Sequence, residues 1–202
     1  ATGDLFAQSV RLLLIVLFPV VALLVACAPE GLTLWLGAEF GEKSAPVMRW
    51  LAAGIFLFSL SFVPTSLLQG TGRPDLTAKL HALELPLYLA VASYLIHRHG
   101  ITGAAAAWVV RAAFDLAGMS LMAARQAPGS GASLRKIGLA AGLALLLLAL
   151  LAQPAHLGLR IGTLALALAA FTALCWTWLL TPEDRRIIRK RLPPAFRGAA
   201  SA

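Results

Sequence analysis

Six apolar runs, each close to the length a helix needs to cross a bilayer, follow one another with only short polar breaks between them. A hydrocarbon core about 30 Å thick takes roughly 20 apolar residues in a helix. The runs are Ser9–Ala28, Val47–Leu68, Leu76–Ile96, Ile101–Ala124, Ile137–Ala152 and Leu159–Leu180. The breaks read "GAEFGEKSAP", "QGTGRPD", "HRHG", "RQAPGSGASLRK" and "QPAH", where Gly, Pro and charge mark turns. Pro19, Pro64 and Pro86 fall inside runs. Membrane helices tolerate them because neighbouring groups re-satisfy the freed carbonyls.

Composition excludes the soluble alternative. The chain is 59% hydrophobic and 13% charged, whereas a soluble domain is nearer half apolar and a quarter charged. Aromatics are only 8% of the 202 residues, and leucine and alanine dominate. A barrel would alternate apolar and polar residues along each strand, so helices are expected instead. The expected fold is an all-α, polytopic transmembrane helix bundle of about six spans. Residues 1–126 supply four spans, 127–136 a cytoplasmic linker, 137–180 two terminal helices and 181–202 a basic cytoplasmic tail.

The net charge of +8 would suggest a nucleic-acid partner on a soluble protein. Here the basic residues lie between and after the apolar runs, and no nucleic-acid partner is expected. Arg73, Lys79, Arg125, Arg135, Lys136 and the tail arginines and lysines fall on one side. Lys43, Arg49, Arg98 and Arg160 fall on the other, together with Glu39 and Glu42. Lysine and arginine hold loops in the cytoplasm, so both ends of this chain are expected there. The tail "TPEDRRIIRKRLPPAFRG" is read as a solvated anchor, or as an amphipathic helix on the membrane surface. Trp35, Trp50, Trp176 and Trp178 fall near the expected interfaces, and Trp108 deeper. Cys27 and Cys175 lie within apolar runs and are expected to be small buried hydrophobes. No signal peptide is visible in "ATGDLFAQSV".

Charges within the runs are the candidates for function, because they are expensive in lipid and should face protein or water. Arg111 and Asp115 are spaced i, i+4 and share a helix face, close enough to pair with each other. His81 and Glu84 share a face of the preceding run at i, i+3. The two runs are antiparallel. Counted from the cytoplasmic end, Glu84 and Asp115 lie at similar depth, about 12–14 Å in at 1.5 Å per residue. His81, Glu84, Arg111 and Asp115 are therefore expected to form one polar cluster if the runs are neighbours. Pro86, just after this face, would let the helix bend and open space. Three readings fit such a cluster: the lining of a transport cavity, an interhelical ion-pair network, or a metal or catalytic site. The last is the weakest, because His-x-x-Glu stands without a second histidine pair beside it. No P-loop, Gly-x-Ser-x-Gly or His-Glu-x-x-His occurs. No cofactor, no metal and no enzymatic activity are expected.

Three stretches, in order, carry a resemblance. "PEGLTLWLGAEFGEKSAPVMRWLAAGIFLFSL" has an apolar run ending in "LWLG", a short loop, and a helix opening with an Arg-containing leucine pattern. "SLLQGTGRPDLTAKLHALELPLYL" has a "GxGRP" turn before a helix with a polar start, and "HGITGAAAAWVVR" opens the next helix with "G-I-x-G-A-A-x-A". Together they resemble the oligosaccharide, O-antigen and exopolysaccharide flippases of the multidrug/oligosaccharidyl-lipid/polysaccharide exporter superfamily. The resemblance covers about Arg11 to Ala124.

That resemblance implies a two-lobed helix bundle of more than twice this length, with a cavity alternately open to each side. This chain would be its C-terminal part, four spans of the second lobe of a MATE-like transporter plus two terminal helices, and its partners would include the missing N-terminal lobe and membrane lipids. The implied location is the bacterial inner membrane, and the implied substrate a polyprenyl-diphosphate-linked oligosaccharide. An arginine fork suits a diphosphate. Arg111 is the first candidate, with Arg11 and Arg73 next. An interfacial anchor and a positive-inside charge are the plainer readings of those two. A drug or metabolite antiporter of the same superfamily, or a membrane-embedded polysaccharide polymerase or glycosyltransferase subunit, are the alternatives.

Overall fold

Glycine sets the first three reversals of the chain. The structure, a computed structural model, describes residues 2–126, 131–153 and 157–180. Helix α1 (Thr2–Leu36) gives way to α2 (Ala38–Gly70) at Gly37, whose φ is 92°. Helix α3 (Pro74–Gln126) follows Gly72, at φ 74°. Inside α3, Gly100 at φ 59° and ψ −135° breaks the helix into two arms that fold back on each other. These left-handed values strain any residue with a Cβ, which is why each reversal falls on glycine. Helix α4 (Gly131–Leu151) and α5 (Leu157–Leu174) complete the bundle, and α5 runs on into a π-helical turn, Cys175–Leu179.

All the described regular structure is helical, and four helices are long and apolar enough to cross a membrane: Gln8–Leu36, Ala38–Gly70, Pro74–Gln126 and Gly158–Thr177. The third holds 53 residues and, with its break at Gly100, supplies two arms. Gly138–Leu151 is a shorter apolar helix. The first connector read from the sequence needs correction. "GAEFGEKSAP" is a helix from Ala38 onward and not a loop. Its charges misled, although Glu39 and Lys43 are an i, i+4 pair joined at 2.8 Å, a spacing that supports a helix. The tail 181–202 and linker residues 127–130 lie outside the described residues.

Helix α2 sits at the centre, packed on α1 and on α3, while α4 lies mainly against α1 and α5 packs on both α1 and α4. Val10, Leu14, Phe18, Val21 and Val25 form the inward stripe of α1 at helical spacing. Phe18 stacks on Phe171 of α5 with ring centroids 3.9 Å apart, and meets the edge of Phe56 of α2 at 6.5 Å. Leu12, Val16, Val20 and Leu23 stand exposed on the opposite side. That surface suits lipid, which costs an apolar side chain nothing. Cys175 is buried but Cys27 is exposed, which corrects the expectation for it: Cys27 continues the outward stripe of Leu23 and Leu24.

Lipid removes the hydrophobic drive between helices, so close backbone approach at small residues matters more. Gly54 of α2 is such a point: a Cβ there would lie 2.3 Å from Trp108 Cδ1 and 2.6 Å from its Nε1. The indole is rigid and itself packed on Phe58, centroids 5.6 Å apart. Gly54→Ala is therefore expected to destabilise the protein by about 1–3 kcal/mol, the usual cost of overpacking. Thermal unfolding in detergent checks it, with Gly138→Ala, where a Cβ meets nothing within 4 Å, as the neutral comparison.

Candidate functional site

The two arms of α3 run antiparallel against each other, with α2 covering one side. This register puts Leu80 opposite Gly118, His81 opposite Asp115, and Glu84 opposite Arg111. Two small polar sets, too far apart in sequence to meet by local folding, become one cluster through the turn at Gly100.

Asp115 is 4% exposed. It accepts a hydrogen bond from Ser61 Oγ of α2 at 2.5 Å and lies 3.2 Å from His81 Nε2. The first is short, as an O–H donor to a charged oxygen should be. His81 keeps 46% of its side chain exposed, so the cluster has an open side. Glu84 is more deeply buried, at 2%, and neither of its carboxylate oxygens has a hydrogen-bond partner. Arg111 Nε stands 3.9 Å from Glu84 Oε2, which is charge contact but beyond a hydrogen bond. The guanidinium lies over two rings, 5.5 Å from the centroids of both Tyr88 and Trp108. Aromatic faces are electron-rich and hold a cation there.

The direct Arg111–Asp115 pair expected from the sequence is replaced by two cross-arm contacts. Side chains on a helix lean toward its N-terminus, so Arg111 reaches away from Asp115. Arginine preceding a carboxylate at i, i+4 is also the weaker order for such a pair. Each charge therefore finds its partner on the first arm: Glu84 for Arg111, His81 for Asp115. The other two arginine candidates stand apart from these contacts. Arg73 is half-exposed in the α2–α3 turn, its Nε 3.3 Å from Asp75 Oδ1. Arg11 is partly buried in the first half of α1 and is not without a partner.

Ser61, Tyr88 and Trp108 complete the site and were not legible as members of it. A serine in an apolar run carries no signal until its helix's rotation is known. Tyr88 had one: it follows Glu84 by four residues and so shares its face. Beside the cluster is a recess of about 20 Å³ lined by Glu84, Leu87, Tyr88, Val91, Arg111 and Phe114. Larger hollows among the described residues are elsewhere and mostly apolar. One, of about 290 Å³, lies between Val10, Leu57, Leu60, Leu116 and Leu145. Another, of about 500 Å³, has Lys43 and Ser44 at its edge and is otherwise apolar. Neither gathers opposed charges as the polar cluster does, so the chemistry belongs to the cluster.

The cluster sets two carboxylates, Glu84 and Asp115, against one guanidinium, Arg111, and one imidazole, His81. Positive charge added between the carboxylates, on a proton or a bound cation, would offset their repulsion. The donor atoms of His81, Glu84 and Asp115 all lie within 4.8 Å of one another, so among the described residues these three form a set able to hold an ion.

No family model matches the chain, and no solved structure matches it. Over 108 residues it is 29% identical to a Shigella flexneri protein described as "Putative O-antigen transporter". The aligned stretch is 54% of this chain and 26% of that protein, so the chain spans about a quarter of the relative it matches. The chain is thus similar, over more than half its own length, to a protein that carries that description.

Proposed function

We propose that this chain is part of a lipid-linked oligosaccharide flippase of the bacterial inner membrane, working in surface polysaccharide assembly. One observation carries the reading: a membrane-embedded arginine, Arg111, is held in an aromatic cage beside buried carboxylates and remains 32% exposed. Charges at such depth are costly and mark substrate or ion pathways. An arginine fork oriented by ring faces fits the diphosphate that links a sugar chain to its polyprenyl carrier. Similarity to an O-antigen transporter supports the same class of cargo.

In this reading the protein moves its substrate and does no covalent chemistry on it. The chain forms the C-terminal part of the protein, four spans of the second lobe and two terminal helices, works with an N-terminal lobe of the same protein, and has both of its ends in the cytoplasm. Alternating access comes from rocking of one lobe against the other. Glu84 and Asp115 are the carboxylates through which a proton or sodium gradient would couple. Arg11 and Arg73 are secondary substrate contacts at the cytoplasmic approach.

Deleting the full-length gene tests this. The expected outcome is loss of surface polysaccharide, with the lipid-linked units trapped on the cytoplasmic leaflet. Units that reach the outer leaflet but stay short would mean a polymerase or ligase instead. Normal polysaccharide would reject the flippase and leave the antiporter.

A further inference from the structure

We infer that His81, Glu84 and Asp115 form a binding site for a divalent transition-metal ion of the zinc class. The inference stands on donor geometry and does not depend on the cargo; it gives Glu84 and Asp115 to a divalent ion in place of the coupling proton or sodium of the reading above. It begins with Glu84. This carboxylate is 2% exposed, and both its oxygens lack a hydrogen-bond donor. A buried, unsatisfied carboxylate is among the costliest groups a fold can hold. The Arg111 Nε at 3.9 Å supplies charge but no hydrogen bond. A cation between Glu84 and its two neighbours would satisfy it directly.

The neighbours decide which cation. Sodium, magnesium and calcium take oxygen donors, whereas an imidazole nitrogen suits zinc, cobalt, nickel or copper. Around a tetrahedral zinc, with ligands about 2.0–2.2 Å away, adjacent donors stand roughly 3.3–3.5 Å apart. His81 Nε2 and Asp115 Oδ1 already stand 3.2 Å apart. The remaining donors are within 4.8 Å, which rotation about the Glu84 side-chain bonds can close. Ser61, donating to the other Asp115 oxygen at 2.5 Å, orients that carboxylate as an outer partner of a metal ligand does. Two carboxylates neutralise a divalent ion. Arg111 then keeps its place over Tyr88 and Trp108, where the rings share its charge. The half-exposed His81 gives the ion a way in.

The test uses the full-length protein in detergent, purified without a histidine tag and titrated with Co²⁺ and Zn²⁺. Optical absorption reads the cobalt ligand field, and calorimetry reads the stoichiometry. One ion per chain is expected, with zinc displacing cobalt. His81→Gln and Glu84→Gln should each weaken binding by at least about 10-fold, the scale on which support of a metal site is lost. His97→Gln and His99→Gln, exposed histidines outside the cluster, should leave it unchanged. Zinc should raise the thermal midpoint of the wild type and not of the two cluster variants. His81→Gln alters a half-exposed side chain, so it remains readable even if Glu84→Gln fails to fold. The inference is overturned by absence of saturable one-to-one binding, by equal binding in His81→Gln, or by sodium displacing cobalt as well as zinc does.

Discussion

Arg111→Ala in the full-length protein is expected to lower polysaccharide display by about 10- to 100-fold, the cost of one charge-assisted hydrogen bond of roughly 1.5–3 kcal/mol to a phosphate. Two effects are mixed in that variant. Removing the guanidinium takes the substrate contact away, and it also leaves Glu84, 2% exposed, without the cation beside it. The second effect alone lies between the ~1 kcal/mol of an exposed pair and the ~3–5 kcal/mol of breaking a fully buried one. With Arg111 32% exposed and 3.9 Å from Glu84, it belongs in the lower part of that range. The double variant Arg111→Ala/Glu84→Gln, read against Glu84→Gln alone so that any coupling role of Glu84 is subtracted, separates the two. Gln keeps the shape and removes the stranded charge, so protein in the membrane should return to near the wild-type level. Display should stay low. Recovery of display in the double variant would show that Arg111 only neutralises Glu84, and would sink its role toward the substrate. Arg111→Lys adds a second comparison. Lysine keeps the charge but loses the planar fork and its fit over Tyr88 and Trp108, so partial display is expected.

The bundle was legible because lipid imposes one period and one length on every run, and "HRHG" and "QGTGRPD" supplied glycine where the backbone needed positive φ. The cluster was legible for a similar reason. Counting residues from a common membrane face places His81, Glu84, Arg111 and Asp115 at one level whenever the two arms are neighbours. Depth, however, does not choose partners. Arg111 and Asp115 looked like a pair by spacing, yet helical side-chain direction sent each across to the other arm. Ser61 comes from a third helix whose rotation no local pattern fixes. Its 2.5 Å bond to Asp115 follows from how α2 packs on α3, which small residues such as Gly54 determine. A second polar network was missed altogether. Arg49 and Arg160 read as topology signals, and Glu30 drew no attention, because nothing local shows that a distant carbonyl lacks its donor.

That network carries the other large expected effect, and it starts from a proline. Pro29 in α1 has no N–H, so the carbonyl of Val25 loses its helical donor. Arg49 of α2 replaces it, Nε to Val25 O at 3.2 Å. The same guanidinium donates from Nη1 to Ala152 O at 2.9 Å, a carbonyl just past the end of α4, where no helical donor remains. One side chain thus ties three helices through two acceptors that the backbone cannot satisfy. Beside it, Arg160 of α5 forms a two-pronged pair with Glu30 of α1 and also donates to Ala26 O at 3.3 Å. Arg49→Met keeps the apolar stem and removes both donors. Each orphaned carbonyl costs about 1–3 kcal/mol when buried. Hydrogen bonds between membrane helices measure nearer ~0.6 kcal/mol on average, because the separated helices find other partners. A loss of about 2–4 kcal/mol is expected, in the lower part of the roughly 2–6 kcal/mol sum for two carbonyls because other partners recover some of it. It should appear as a lower thermal midpoint in detergent and faster amide exchange along α4. Lys43→Met is the control. It breaks an exposed i, i+4 pair, with both side chains at least 74% exposed, and should cost no more than about 0.5 kcal/mol. Equal losses in the two variants would mean that Arg49 is only a surface charge, and that α4 docks on the bundle by apolar packing alone.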